Sequence, residues 1–302
     1  MELSTKDVTL NRNNFIGGSE IAIILGKSRY SSPYELWAIK TGRLKPKDLS
    51  QIEAVELGTD LEDFVAQKFA QKTGLKVRRA PKVYQHPDYP YMVAHVDRLI
   101  SDTNEILECK TANASKGKEW ENDIPIEYVY QVQWYMGITG RKSAWIACLI
   151  GGQKFDYKQI TFDPTLFDKM VEKAVKFWSM VQNDTPPAVT SQDVEVLVEV
   201  FPTTNTEEMI ENEELNDLIA YRQELQMHID EMSKEKDEIT AQLQEYIGDR
   251  QGLLTSKYKV TWKEQTSSRL NTTMLKQEHP EIIEQYKQKV TSRPFKVNLR
   301  KD

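Results

Sequence analysis

Asn104-Glu105-Ile106-Leu107-Glu108-Cys109-Lys110 is the stretch on which the fold turns. It predicts a short apolar strand carrying a carboxylate and an amine two residues apart. Successive side chains of a strand alternate faces, so Glu108 and Lys110 share one face while Leu107 and Cys109 share the other. Upstream, Tyr91 to Ile100 predicts a second strand carrying Asp97. Between them Ser101-Asp102-Thr103-Asn104 is rich in turn formers, so the two strands form a hairpin in which Asp97, Glu108 and Lys110 converge. Two carboxylates suit Mg²⁺, which prefers oxygen ligands. A neighbouring lysine can orient or deprotonate a water, or stabilise charge developing on a phosphate. By itself E-x-K is also a common solvated strand face with a weak ion pair. The rest of the chain has to distinguish the two.

Composition permits the chemical reading. At 302 residues, with 39% hydrophobic and 28% charged residues, the chain is long enough for one sizeable domain and an appendage. No run is long enough for a membrane span, and Met1 to Asp7 lacks a signal-peptide pattern. Cys109 and Cys148 lie in apolar stretches and are expected to be buried thiols rather than a disulfide or a zinc site, which fits a reducing cytoplasm. The net charge of −6 is unevenly spread: residues 206–250 carry −10 and residues 251–302 carry +6, leaving −2 for the first 205. A near-neutral domain can present one basic face, so nucleic acid is not excluded.

Before the hairpin, Gly17-Gly18 allows close backbone approach and Ser19 is read as the cap of a helix through Ile21 to Leu25, with Arg12 nearby to complete an anion site. A bare capped helix reads the same way. Ser32-Pro33 starts a second helix. Ile52 to Lys72 predicts one amphipathic helix carrying Glu62. After the hairpin, Lys116-Gly117-Lys118 reads as a polar loop. Ile126 to Thr139 reads as a helix with Tyr128 and Gln131 one turn apart. Strands over 144–150 and 155–160 and a helix over 164–182 complete an α/β or α+β domain of residues 1–190. Residues 191–205 read as a connecting segment. Residues 206–250 read as a long acidic helix with coiled-coil spacing, in which Leu218, Leu225, Met232, Ile239 and Tyr246 recur every seven residues. An intramolecular arm, an oligomer contact and a merely amphipathic helix all fit. Residues 251–302 form a small basic region with a strand near Tyr258–Lys263 and a helix over 274–289, its tail either DNA-contacting or solvated.

Five pieces in order give the chain a resemblance. It resembles the YqaJ-like viral recombinase family, related to phage lambda exonuclease and belonging to the PD-(D/E)xK nucleases. Arg12 and Ser19 look like the family's 5′-phosphate pocket, and Gly58-Thr59-Asp60-Leu61-Glu62 like its G-x-x-x-E helix. Asp97 matches the aspartate of P-D-G, and Glu108-Cys109-Lys110 the E-x-K. Tyr128 and Gln131-Val132-Gln133 match Y-x-x-Q-V-Q. One departure is that His95-Val96-Asp97-Arg98 lacks the flanking proline and glycine.

The resemblance implies a restriction-endonuclease-like mixed sheet flanked by helices, with a helical, coiled-coil extension. It implies a 5′-to-3′ exonuclease on double-stranded DNA ends that leaves 3′ tails for a single-strand annealing partner, in a bacterial cytoplasm with a phage or prophage origin. Two Mg²⁺ ions, or Mn²⁺, would be held by Asp97, Glu108, the Cys109 carbonyl and Glu62. Lys110 would position the water, Gln131 would orient it or Lys110, and Tyr128 would lie on the DNA side. Relatives form rings, often trimers, so a homo-oligomer is implied. A different nuclease of the superfamily (an endonuclease or a single-strand enzyme) and a non-catalytic end-binding scaffold are the alternatives.

Overall fold

The computed structural model describes residues 11–49, 51–80, 82–204 and 209–300. The stretch Met1–Asp7, read above for a leader, lies outside them. The chain divides into two units, Met1–Phe201 and Pro202–Asp302.

The first unit opens with helices α1 (Gly18–Ile24), α2 (Pro33–Lys40), α3 (Glu53–Asp60) and α4 (Glu62–Thr73). Strands β1 (Val77–Arg79), β2 (Tyr84–Gln85), β3 (Val93–Ala94), β4 (Arg98–Ile100) and β5 (Ile106–Ala112) follow. Helices α5 (Gly117–Asn122) and α6 (Ile126–Thr139) cross over to β6 (Ser143–Ile150) and β7 (Lys154–Thr161), and α7 (Pro164–Gln182) and α8 (Asp193–Val200) close the unit. One mixed sheet runs in the order β1-β4-β5-β6-β7. Only β5 and β6 are parallel, Glu108 lying opposite Ile146 and Lys110 opposite Cys148. A parallel pair needs a long crossover, and α5 with α6 supplies it.

Alternation along β5 divides the unit into two packed layers. Ile106 faces a large core built with Ile21, Trp37, Trp134 and Ile146, whereas Leu107 and Cys109 face a smaller one built with Val65 and Phe69 of α4. Helices on both faces of a mixed sheet are the expected fold. Both cysteines are free and buried, and burial raises both thiols, Cys148 to about 12.

Several local expectations change, four of them in the elements of this unit. The single helix over 52–72 is two, breaking at Leu61, because only the second half finds a partner: α3 buries no side chain, while α4 buries Val65, Ala66 and Phe69. The strand over 91–100 is also two. β3 pairs with β2 in a separate ribbon, β4 pairs with β1 and β5, and the chain bends between them at His95–Asp97. One straight strand could serve only one sheet; the bend serves two and lifts Asp97 out of the ladder. The polar loop at 116–118 is instead the end of a 3₁₀ turn (Ala114–Lys116) and the start of α5, whose Trp120 is buried. Part of the connecting segment is α8, docked by a buried Asp193 that accepts from the hydroxyls of Ser32 and Thr190. Ser32 at the same time caps α2, accepting from the Glu35 amide at 2.9 Å.

In the second unit, α9 (Asn216–Ile247) spans 32 residues, about 48 Å at 1.5 Å per residue. Its seam residues Leu218, Leu225, Met232, Ile239 and Tyr246 are exposed. A hairpin of β8 (Gly252–Leu254) and β9 (Lys259–Thr261) follows. The helix expected over 274–289 is two, α10 (Thr272–Glu278) and α11 (Pro280–Tyr286), since the residue before a proline is disfavoured in helical geometry.

Candidate active site

The site is built on the open end of β5. β4 pairs with it only at Leu107 and Ile106, so beyond Leu107 that edge of β5 is taken by the Asp97 bend. Asp97 Oδ2 accepts from the Cys109 amide at 2.9 Å, in the place of a ladder bond. Lys110 Nζ lies 2.6 Å from Glu108 Oε1, as one strand face requires. Gln131 on α6 donates to the same oxygen at 2.9 Å and to the Tyr135 hydroxyl at 2.8 Å. One cavity of about 340 Å³ is lined by Asp97, Glu108, Lys110, Gln131, Arg12 and Ser19. Residues far apart in the chain thus share one space, as their motifs require.

Charge in this cavity is unbalanced. Glu108 is 1% exposed, and its Oε2 is buried with no hydrogen-bond partner. Such an atom costs about 1–3 kcal/mol when left unsatisfied. Burial and then the repulsion of Glu108 raise the Asp97 carboxyl to about 7. Burial alone would lower Lys110, but Glu108 and Asp97 outweigh it and hold the amine as a cation. Two crowded carboxylates, one with an orphaned oxygen, fit a hard divalent cation.

The expected residues do not all meet there. Glu62 lines an adjoining cavity of about 260 Å³ with Asp63, Arg79, Arg98 and also Asp97, and its Oε1 accepts from Arg98. Among the described residues, no three His, Cys, Asp or Glu side chains gather around one point to hold a metal. Tyr128 lies behind the lysine, its ring centroid 5.0 Å from Lys110 Nζ and its other side toward Trp120. Arg12 reaches Ser19 Oγ at 3.4 Å. Ser19 does not cap its helix: Gly17 takes that position and Glu20 Oε2 accepts the Gly17 amide at 3.1 Å, leaving Ser19 beside the arginine.

Other residues of the site carried no sequence signal. Lys40, at the end of α2, has a side chain only 1% exposed, bonds both oxygens of Glu20 at 2.9 Å, and donates to the carbonyls of Arg12 and Phe15. It fixes the turn that carries Arg12. Tyr135 follows Gln131 by one helical turn, a spacing that marks it in retrospect. A Cβ on Gly18 would stand 2.4 Å from Tyr135 Cε1, so the glycine is required for the approach of α1 to α6. Gly18→Ala is therefore expected to cost about 1–3 kcal/mol through overpacking. A thermal melt checks this, and an unchanged midpoint would mean that the ring swings aside.

Comparison with known proteins adds independent findings. The YqaJ-like viral recombinase domain matches residues 9–142. The YqaJ protein of Bacillus subtilis (strain 168) is 35% identical over 306 residues, covering 98% of this chain and 95% of that protein. Among solved structures, an alkaline exonuclease (LHK-Exo) from Laribacter hongkongensis superposes with a TM-score of 0.51 at 20% identity, over 60% of this chain and 94% of that one. LHK-Exo in complex with dAMP gives 0.51 at 21%, with the same coverage. At that identity the likeness speaks for the fold.

Proposed function

The chain belongs to the YqaJ-like viral recombinase family, and from that membership and the site we propose a Mg²⁺-dependent 5′-to-3′ exonuclease acting on double-stranded DNA ends. The observation that carries the metal reading is the buried Glu108 oxygen left without a partner beside a second carboxylate. Asp97 and Glu108 would hold the metal, two ions in the family's pattern, with Mn²⁺ as a substitute and the Cys109 carbonyl as a further ligand. When bound, Mg²⁺ supplies Lewis-acid stabilisation of the charge that builds on the phosphate and on the leaving 3′ oxygen. Lys110, held cationic, orients the attacking water, and Gln131 fixes the Glu108 carboxylate through the same oxygen. Arg12 and Ser19 hold the terminal 5′-phosphate, which sets the scissile bond in register and makes polarity a consequence of geometry. The 3′ tails left behind would pass to a single-strand annealing protein, and a closed homo-oligomer would keep the enzyme on its strand. No helix among the described residues is long and apolar enough to cross a membrane.

The test uses linear duplexes with a 5′-phosphate or a 5′-hydroxyl and a labelled 3′ end, with Mg²⁺. The phosphorylated strand is expected to disappear faster while its complement survives, and the double variant R12A/S19A is expected to lose that preference. Cleavage blind to the end would discard the pocket and keep the nuclease. No cleavage with Mg²⁺ or Mn²⁺ would leave the end-binding scaffold.

A further inference from the structure

Arg98 occupies the position at which the P-D-G pattern has glycine. It is 6% exposed, so its charge must be met from within. Nη1 donates to Glu62 Oε1 and, at 2.7 Å, to the backbone carbonyl of Asp97; Nη2 donates to Asp63 Oδ1 at 2.7 Å. Asp63 is tied in turn to Arg79, which pairs with Arg98 across β1 and β4. One guanidinium therefore joins the first turn of α4, the edge of the sheet and the bend that presents the Asp97 carboxylate.

We infer that Glu62 is the anchor of Arg98 and not a metal ligand, and that Arg98 is the positioning residue that holds Asp97 toward the metal. The inference rests on the metal site proposed above. Three observations carry it. Glu62 opens into the adjoining cavity, which Asp97 also lines but Glu108 and Lys110 do not. One oxygen of its carboxylate, Oε1, is engaged by a buried cation, and a divalent ion placed on that oxygen would face the fixed positive charge. The bend at Asp97 lacks the proline and glycine that would set its shape, and the arginine fork, with its rigid donor geometry, supplies the constraint instead. The carboxylate that the family motif assigns to the metal has here become the counter-ion of a structural clamp.

The test is Mg²⁺ affinity by titration calorimetry, with thermal midpoints in EDTA, for E62Q, R98M and D97N of the full chain. E62Q keeps an oxygen for Arg98 and is expected to bind Mg²⁺ as the parent does, with a lower midpoint in EDTA. D97N is expected to lose Mg²⁺ binding. R98M is expected to bind about tenfold more weakly, the usual consequence of removing a group that orients a ligand. Should R98M fail to fold, E62Q still decides. Affinity lost in E62Q as fully as in D97N, with an unchanged midpoint, would make Glu62 a ligand and overturn the clamp alone. Unchanged affinity in D97N would remove the metal site, and the inference with it.

Discussion

Lys110→Ala is expected to cut DNA cleavage about 10²- to 10³-fold, the range for removing one preorganised donor, while leaving binding to DNA ends intact. The lysine is a cation because Glu108 is 2.6 Å away and Asp97 is close by, and it rests on the Tyr128 ring. Its removal takes a positive charge from beside two carboxylates, so Mg²⁺ affinity should hold or rise. That separates this variant from any that harm the metal site. Lys110→Arg should not restore the rate, because the planar guanidinium cannot take the place of a compact ammonium between Glu108 and the ring. Single-turnover cleavage and end binding by anisotropy, at one fixed salt concentration, make the comparison. Cleavage at the parent rate would exclude Lys110 from the mechanism.

Lys40→Met is expected to produce the largest loss of stability, about 3–5 kcal/mol, as when one partner of a buried ion pair is deleted. Glu20 is buried and both of its oxygens take hydrogen bonds from the lysine. The Arg12 and Phe15 carbonyls lose their donor as well. The double variant E20Q/K40M should recover part of the loss, because no buried charge is then left alone. Denaturant melts of the two variants and the parent read this out. Equal midpoints in the parent and K40M would mean that water replaces the lysine without cost.

Much of this was legible in the chain, for reasons that differ from residue to residue. Glu108 and Lys110 were placed by alternation alone, a local rule that no distant contact can alter once the strand exists. Tyr128 and Gln131 followed from helical spacing, though not the side to which each would turn. Tyr128 went to the back of Lys110 because Trp120, itself buried by the crossover, offers it a flat partner. The bend at His95–Asp97 was hidden because it arises from competition between two sheets, which no single stretch encodes. Lys40 was hidden for the opposite reason. A lysine in the last turn of a helix reads as solvated, and only tertiary packing turns it inward to Glu20. Arg98 and Glu62 lie 36 residues apart, and nothing in either motif announces the pair.

The single parallel pair in the sheet also sets an order of assembly. Asp97, Glu108 and Lys110 are all synthesised before β6, yet β5 gains its parallel neighbour only when Ser143–Ile150 has emerged and the crossover helix has docked Gln131 on Glu108. A nascent chain that stops short of residue 150 carries the whole E-x-K motif on a strand whose parallel partner is incomplete. In the proposed exonuclease, the contacts around Glu108 are therefore complete only in copies that extend through β6.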